Sequence, residues 1–323
     1  MSKKTNAKPS AIPTHQQRRE GYVSKMIPKA VSMTRNDISH WKNALKAAKN
    51  IDAPRRAKLY NLYNDILLDA HLSSQMELRF QHTLSVPFVL KNADGNENEE
   101  ATTILDNAPW VNQLNRYLLE SLFFGSTLVE FVTNPLTGTL EVVLVPRNNV
   151  VPEKGLLLFS EDDTKGLEYR NLREFGTWIV EFGQVNDLGL LNKAVPHVLM
   201  KRFAQTCWSE LCEIYGIPPR YMKTDTQDPA MLDRAETMLR EMGSAAWFII
   251  DSSEAFEFAK GADTNGDVYN NLIRLCKEEI SLLISGAVIG QDTKNGNFSK
   301  EESSVKLLNK IARSDRKLLA TYW

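Results

Sequence analysis

Residues 199–220 constrain this chain more than any other stretch. Leu199, Phe203, Cys207, Leu211 and Ile214 recur at three- and four-residue spacing, with Trp208, Cys212 and Tyr215 one step round. That spacing makes one broad apolar stripe on a helix. Gly216 suits a left-handed cap, and Pro218-Pro219 forbid the helix to resume. A packed rod must therefore end in a stiff, extended exit that throws Arg220 onward in a fixed direction.

With 323 residues, 42% hydrophobic and 24% charged, the chain can bury the core such a rod needs. The formal net charge of −1 gives the whole molecule no general attraction for nucleic acid. Charge is uneven, though. Residues 1–35 carry Lys3, Lys4, Lys8, Arg18, Arg19, Lys25, Lys29 and Arg35 against Glu20 alone. That segment reads as a flexible basic tail. The N-terminus has no apolar segment of the signal-peptide kind, and no run is long enough to span a bilayer. Cys207, Cys212 and Cys276 read as buried reduced thiols, since Cys207 and Cys212 diverge on one helix.

Along the chain, residues 36–50 predict a short helix with Ile38, Trp41, Leu45 and Ala48 on one side. Asp52 and Pro54 then open a long helix to about His82. Residues 84–91 predict a strand, with a turn at 92–96, and residues 103–123 return to helix. Segments 126–133 and 139–145 flank Asn134-Pro135-Leu136-Thr137-Gly138 as a hairpin. Short strands are expected at 156–160, 168–172 and 178–182. Helix resumes near Leu188 and runs through Pro196 into the central rod. Beyond Arg220, a helix from Pro229 to Gly243 and strands at 246–251 and 255–259 predict an αββ module. A helix with Leu272, Leu275, Cys276, Ile280, Leu283 and Ala287 inward should end at Gly290. Ser299 and Glu302 form a capping box for a last helix with Val305, Leu308, Ile311, Asp315, Leu318 and Tyr322 on one stripe. At Trp323 the pattern is still helical and uncapped, which suggests truncation or completion by something else.

Catalytic chemistry is hard to place. Asp65 and Asp69 share a helix face, but His71 lies about 200° round from Asp69. Glu161-Asp162-Asp163 lacks a calcium-loop pattern. No phosphate loop, dinucleotide fingerprint or His-Glu-x-x-His occurs. No catalytic residue, metal or cofactor is assigned.

The string Lys201, Trp208, Glu213, Tyr215, Gly216, Pro218 and Arg220 resembles the centre of the Mu-like family of bacteriophage portal proteins. Three further segments match in the same order. "DAHLSSQMELR" at 69–79 is similar to an early family helix that leads to an arginine. Ile289-Gly290-Gln291-Asp292-Thr293 is similar to a Leu-Gly-Gln-x-Leu-Thr segment, lacking its Leu-Thr pair. Asp315-Arg316 is similar to the Asp-Arg of the following helix.

The resemblance implies an α+β, mainly helical portal-like fold. It would comprise a wing-like helical and antiparallel β-rich region at 36–190 and a stem helix at 191–220. An αββ clip-like module at 221–265, a second stem helix at 266–290, a tunnel-like loop at 291–298 and a long helix at 299–323 would follow. It implies a non-enzymatic, dodecameric homo-oligomeric ring at the capsid vertex of the virion, assembled in the host cytoplasm. Double-stranded DNA would be packaged and ejected through it without sequence readout. The expected partners are the terminase large subunit and capsid and head-completion proteins, with no membrane. Gln291, Asp292, Thr293, Lys294 and Asn295 would touch the DNA, and a near-neutral loop suits brief contact without friction. Two alternatives stand: a metal-dependent nuclease or other DNA-processing enzyme using Asp65 or Asp69, and a head-assembly protein that forms no channel.

Overall fold

A computed structural model describes residues 38–133, 138–160, 163–216, 220–225, 227–241, 247–251, 266–288 and 298–323. The first helix, α1 (38–48), follows the expected period and buries Ala44 and Ala48. The long helix expected next is two. Helix α2 spans Ala57–Ile66 and α3 spans Ala70–Leu84. Apolar spacing runs through both, so period alone could not show the break. Asp69 makes it, with an extended backbone (φ −71°, ψ 114°) and a carboxylate that caps α3. Asp52 caps nothing; its N–H donates to Asn50 Oδ1 at 2.9 Å instead.

No strand forms at 84–91 beyond a single bridge from Lys91 to Glu97, which closes the expected turn. The helix expected at 103–123 also divides, into α4 (Glu99–Asp106) and α5 (Pro109–Phe124). Pro109 stands at the first position of α5, where its missing N–H costs nothing.

The expected hairpin is present. Strand β1 (Ser126–Thr133) pairs antiparallel with β2 (Leu140–Leu144), Val129 facing Leu144 and Thr133 facing Leu140. Residues 150–151 (β3), 156–157 (β4) and 167–168 (β5) make a second small antiparallel sheet, shorter than expected, with β3 unforeseen. The expected strand at 168–172 gives way to a 3-10 turn at Tyr169–Asn171. Strand β6 (Ile179–Gly183) joins the other edge of β1, giving the order β2-β1-β6. Helix α5 covers this sheet through Leu114 and Leu118 against Val129, Val142 and Phe182.

Helix α6 (Gly189–Gly216) runs unbroken through Pro196 and ends on the expected glycine. Its burial, however, is concentrated in the first half, at Leu191, Ala194, Val195, Val198 and Leu199. Phe203, Cys207 and Leu211 are only half-buried. The module after it differs from αββ among the described residues. Strand β7 (Arg220–Thr224) precedes α7 (Pro229–Glu241) and pairs parallel with β8 (Trp247–Asp251). Parallel neighbours need a crossover, and α7 supplies it. Arg220 thus opens a strand, while the exit at 217–219 and the strand expected at 255–259 lie outside the described residues.

Helix α8 (Asp267–Ser285) stops five residues short of Gly290, because Gly286 takes the left-handed cap (φ 73°). Its inward face is Ile273, Cys276, Ile280 and Ile284, with Leu275 exposed. Helix α9 (Phe298–Tyr322) buries Leu308, Ala312 and Asp315. The main core joins Leu59, Tyr63, Ile66, Leu72, Phe80, Phe123, Leu191, Val195, Ile280 and Ile284, drawing on α2, α3, α5, α6 and α8. Each such side chain contributes about 1.5–3 kcal/mol on burial.

Candidate functional site: a buried polar row along α3

Helix α3 carries a line of polar side chains through this apolar core. At its start, Asp69 Oδ1 accepts the N–H groups of His71 (3.0 Å) and Leu72 (3.1 Å). The same carboxylate receives Lys201 Nζ from α6, at 2.8 Å on Oδ1 and 2.7 Å on Oδ2. Both side chains are buried. Burial pushes the Asp69 carboxyl up, yet the hydrogen bonds from Lys201, Leu72 and His71 and the Lys201 charge outweigh it. They hold the group below its ordinary value. The pair is ionised.

His71, Gln75 and Arg79 follow at four-residue spacing, in one row along α3. His71 Nε2 lies 2.9 Å from the Lys277 carbonyl and 3.0 Å from Ser281 Oγ, both on α8. A carbonyl only accepts, so Nε2 carries the hydrogen. Burial first, then the Lys201 and Lys277 charges, outweigh the Lys277 carbonyl bond and the Asp69 charge, so His71 titrates below the usual 6.5. One turn on, Ser285 Oγ donates to Gln75 Oε1 at 2.7 Å. Arg79 then grips Asp315 of α9 with Nε (2.7 Å) and an NH2 group (2.8 Å), and gives its NH1 to the Ile284 carbonyl (2.9 Å). Arg316 NH1 donates to the His82 carbonyl at 3.1 Å.

The row therefore joins three of the sequence segments singled out above. Asp69, Arg79, Lys201 and the Asp315-Arg316 pair, scattered over about 250 residues, meet on α3. Its chemistry is mechanical: buried charges, each matched, fix α6, α8 and α9 in register on α3. Gln75, Ser281 and Ser285 were missed by sequence reasoning. Their signal was polar residues recurring every fourth position on otherwise apolar faces. Arg56 was missed too, with no signal at all. It is 2% exposed and donates to Glu153 Oε1 at 2.6 Å and to the carbonyls of Val185 and Asp187.

Other expected residues fall elsewhere. Trp208 is half-buried above Gly266, where an added Cβ would lie 2.7 Å from the indole nitrogen. Glu213 is exposed, Tyr215 and Gly216 close α6, and Arg220 begins β7. Pro218 and all of Gln291, Asp292, Thr293, Lys294 and Asn295 lie outside the described residues, as does the tail 1–35. Asp65 accepts from Arg202 NH1 at 2.6 Å. With Asp69 committed to Lys201 and His71 to α8, these three do not converge as a metal centre. Among the described residues, no three His, Cys, Asp or Glu side chains gather to hold a metal ion. No helix among them is long and apolar enough to cross a membrane. Of the thiols expected to be buried, Cys276 is, Cys207 is half-buried and Cys212 is exposed.

The family described as portal protein of Mu bacteriophage matches residues 60–323. The Mu-like prophage FluMu protein gp29 of Haemophilus influenzae is 24% identical over 303 residues, covering 85% of this chain and 56% of that protein. The chain thus spans little more than half the length of that relative. The family match takes in every residue of the polar row and most of the chain, and on that ground the chain belongs to the family of Mu bacteriophage portal proteins.

Proposed function

We propose that the chain is the subunit of a homo-oligomeric portal ring at a capsid vertex, through which double-stranded DNA is packaged and ejected. The observation that carries this reading is the family match over residues 60–323. The exposed surface of α8 supports it. Val268, Leu275 and Leu282 stand seven residues apart and are 70%, 51% and 50% exposed. A stripe at that spacing is the pattern of a helix that packs against another helix. In the ring, α6 and α8 form the stem, and this stripe meets a neighbouring subunit. The β7-α7-β8 unit between them is the clip that meets the terminase large subunit or head-completion proteins. Residues Gln291 to Asn295 touch DNA briefly, with Lys294 the one cation among them. The role is structural, without catalysis.

Negative-stain electron microscopy of the purified protein tests the reading. Rings with a central hole are expected; monodisperse monomers under every assembly condition tried would count against it. A nuclease assay with magnesium or manganese separates the enzymatic alternative. Cleavage lost in Asp65→Asn, an exposed position where no buried charge is left unpaired, would favour that alternative.

A further inference from the structure

Two faces of α8 repeat every four residues. Lys277, Ser281 and Ser285 form its polar row, and Cys276, Ile280 and Ile284 its apolar one. The facing row on α3 has the same step, His71, Gln75 and Arg79. His71 meets Ser281 and Gln75 meets Ser285, each pair 210 residues apart. Equal offsets mean that the two helices run parallel, rung matched to rung.

We propose that α8 has a second resting register on α3, displaced by one helical turn, about 5.4 Å, toward its own C-terminus. This inference does not rest on the portal reading. After the shift Ser281 stands beside Gln75 and Ser285 beside Arg79. Ile280 takes the place of Ile284 like for like, while Cys276 stands where Ile280 was and fills that buried site less well. His71 exchanges the Lys277 carbonyl for that of Ile273, and Arg79 exchanges the Ile284 carbonyl for that of Ile280. The Arg79–Asp315 pair is made to α9 and persists in either register. Packed helices move between discrete arrangements of this kind, because intermediate positions match neither set of side chains. The shifted register carries three costs: it brings Lys277 toward His71, near Lys201, it underfills the Ile280 site, and it slides α8 along α6, the helix it packs against most extensively. The register seen is accordingly the major one.

The two serines bias the equilibrium in opposite directions. Ser281→Ala costs the observed register little, since His71 keeps the Lys277 carbonyl, but in the shifted register it leaves Gln75 unpaired. Ser285→Ala leaves Gln75 unpaired in the observed register, whereas in the shifted one Arg79 keeps Asp315. The test is electron–electron distance measurement on the full chain, diluted with unlabelled chain so that pairs within one subunit dominate, with nitroxides at Asn61→Cys of α2 and Glu279→Cys of α8, both exposed positions. Cys207→Ser and Cys212→Ser remove the accessible thiols, and Cys276 stays, buried. Two distance populations are expected, the minor one enlarged about tenfold by Ser285→Ala and reduced about tenfold by Ser281→Ala, as one lost buried hydrogen bond dictates. If circular dichroism shows that the Asn61 label disturbs the fold, Gln81→Cys of α3 replaces it. A single narrow distance in all three proteins, or two populations that both serine variants leave alone or move the same way, would overturn the proposal.

Discussion

Asp69 does two things with one carboxylate, and the row depends on both. It caps α3 through the N–H groups of His71 and Leu72, and it neutralises the buried Lys201. Lys201→Met leaves that carboxylate buried without its cation, and stability should fall by about 3–5 kcal/mol. Adding Asp69→Asn should recover most of the loss, because Asn still caps the helix and no charge remains. Denaturant unfolding of the two single variants and the double variant measures the difference. His71 gives a second test, in pH. Its folded value lies below 6.5, so between that value and 6.5 the unfolded chain binds a proton that the folded chain refuses. Stability should therefore decline as pH falls through 6.5 and level off below the folded value. Gln at 71 has an N–H for the Lys277 carbonyl and no titration. Melting temperatures from pH 8 to pH 5 should show the decline in the parent and a flatter profile in His71→Gln.

At the scale of elements, the join between the sheet and the helices is made of backbone. Gly125 ends α5 at φ 89°, and a Cβ there would lie 2.1 Å from the Asp187 carbonyl oxygen, just before α6. Gly138, at φ 70°, would meet nothing. Both alanine variants carry the strain of a left-handed residue, about 1–3 kcal/mol, but only Gly125→Ala must also push two chain segments apart. Gly138→Ala should melt a few degrees below the parent. Gly125→Ala should melt far lower or fail to accumulate as soluble protein; equal melting temperatures would show that the junction yields. The helix breaks follow the same logic of local chemistry against pattern. Pro109 marks the start of α5, although the helix expected at 103–123 ran through it. Asp69 marks the start of α3 but was read as part of a polar helix face, because the apolar period did not falter.

For the whole molecule, the exposed stripe on α8 is where assembly should show. Leu275→Glu with Leu282→Lys places charges on a surface that the isolated chain already leaves in water, so the folded monomer should be little changed. Rings or higher oligomers should be lost on light scattering, with the far-ultraviolet circular dichroism preserved. Unchanged assembly would move the subunit contact to another face. By itself the sequence determined where α6 ends, the β1–β2 hairpin, the dominance of helix, and the family, through Lys201, the 69–79 segment and Asp315-Arg316. These signals are local, carried by period, glycine and proline, or by strings that keep their order. Tertiary structure alone decided that β7 and β8 run parallel, that Gly286 rather than Gly290 ends α8, and that Asp69, Arg79, Lys201 and Asp315 meet. A buried charge is stable only beside its partner, and which distant residue that partner is depends on how helices stack, a fact that no spacing along the chain records.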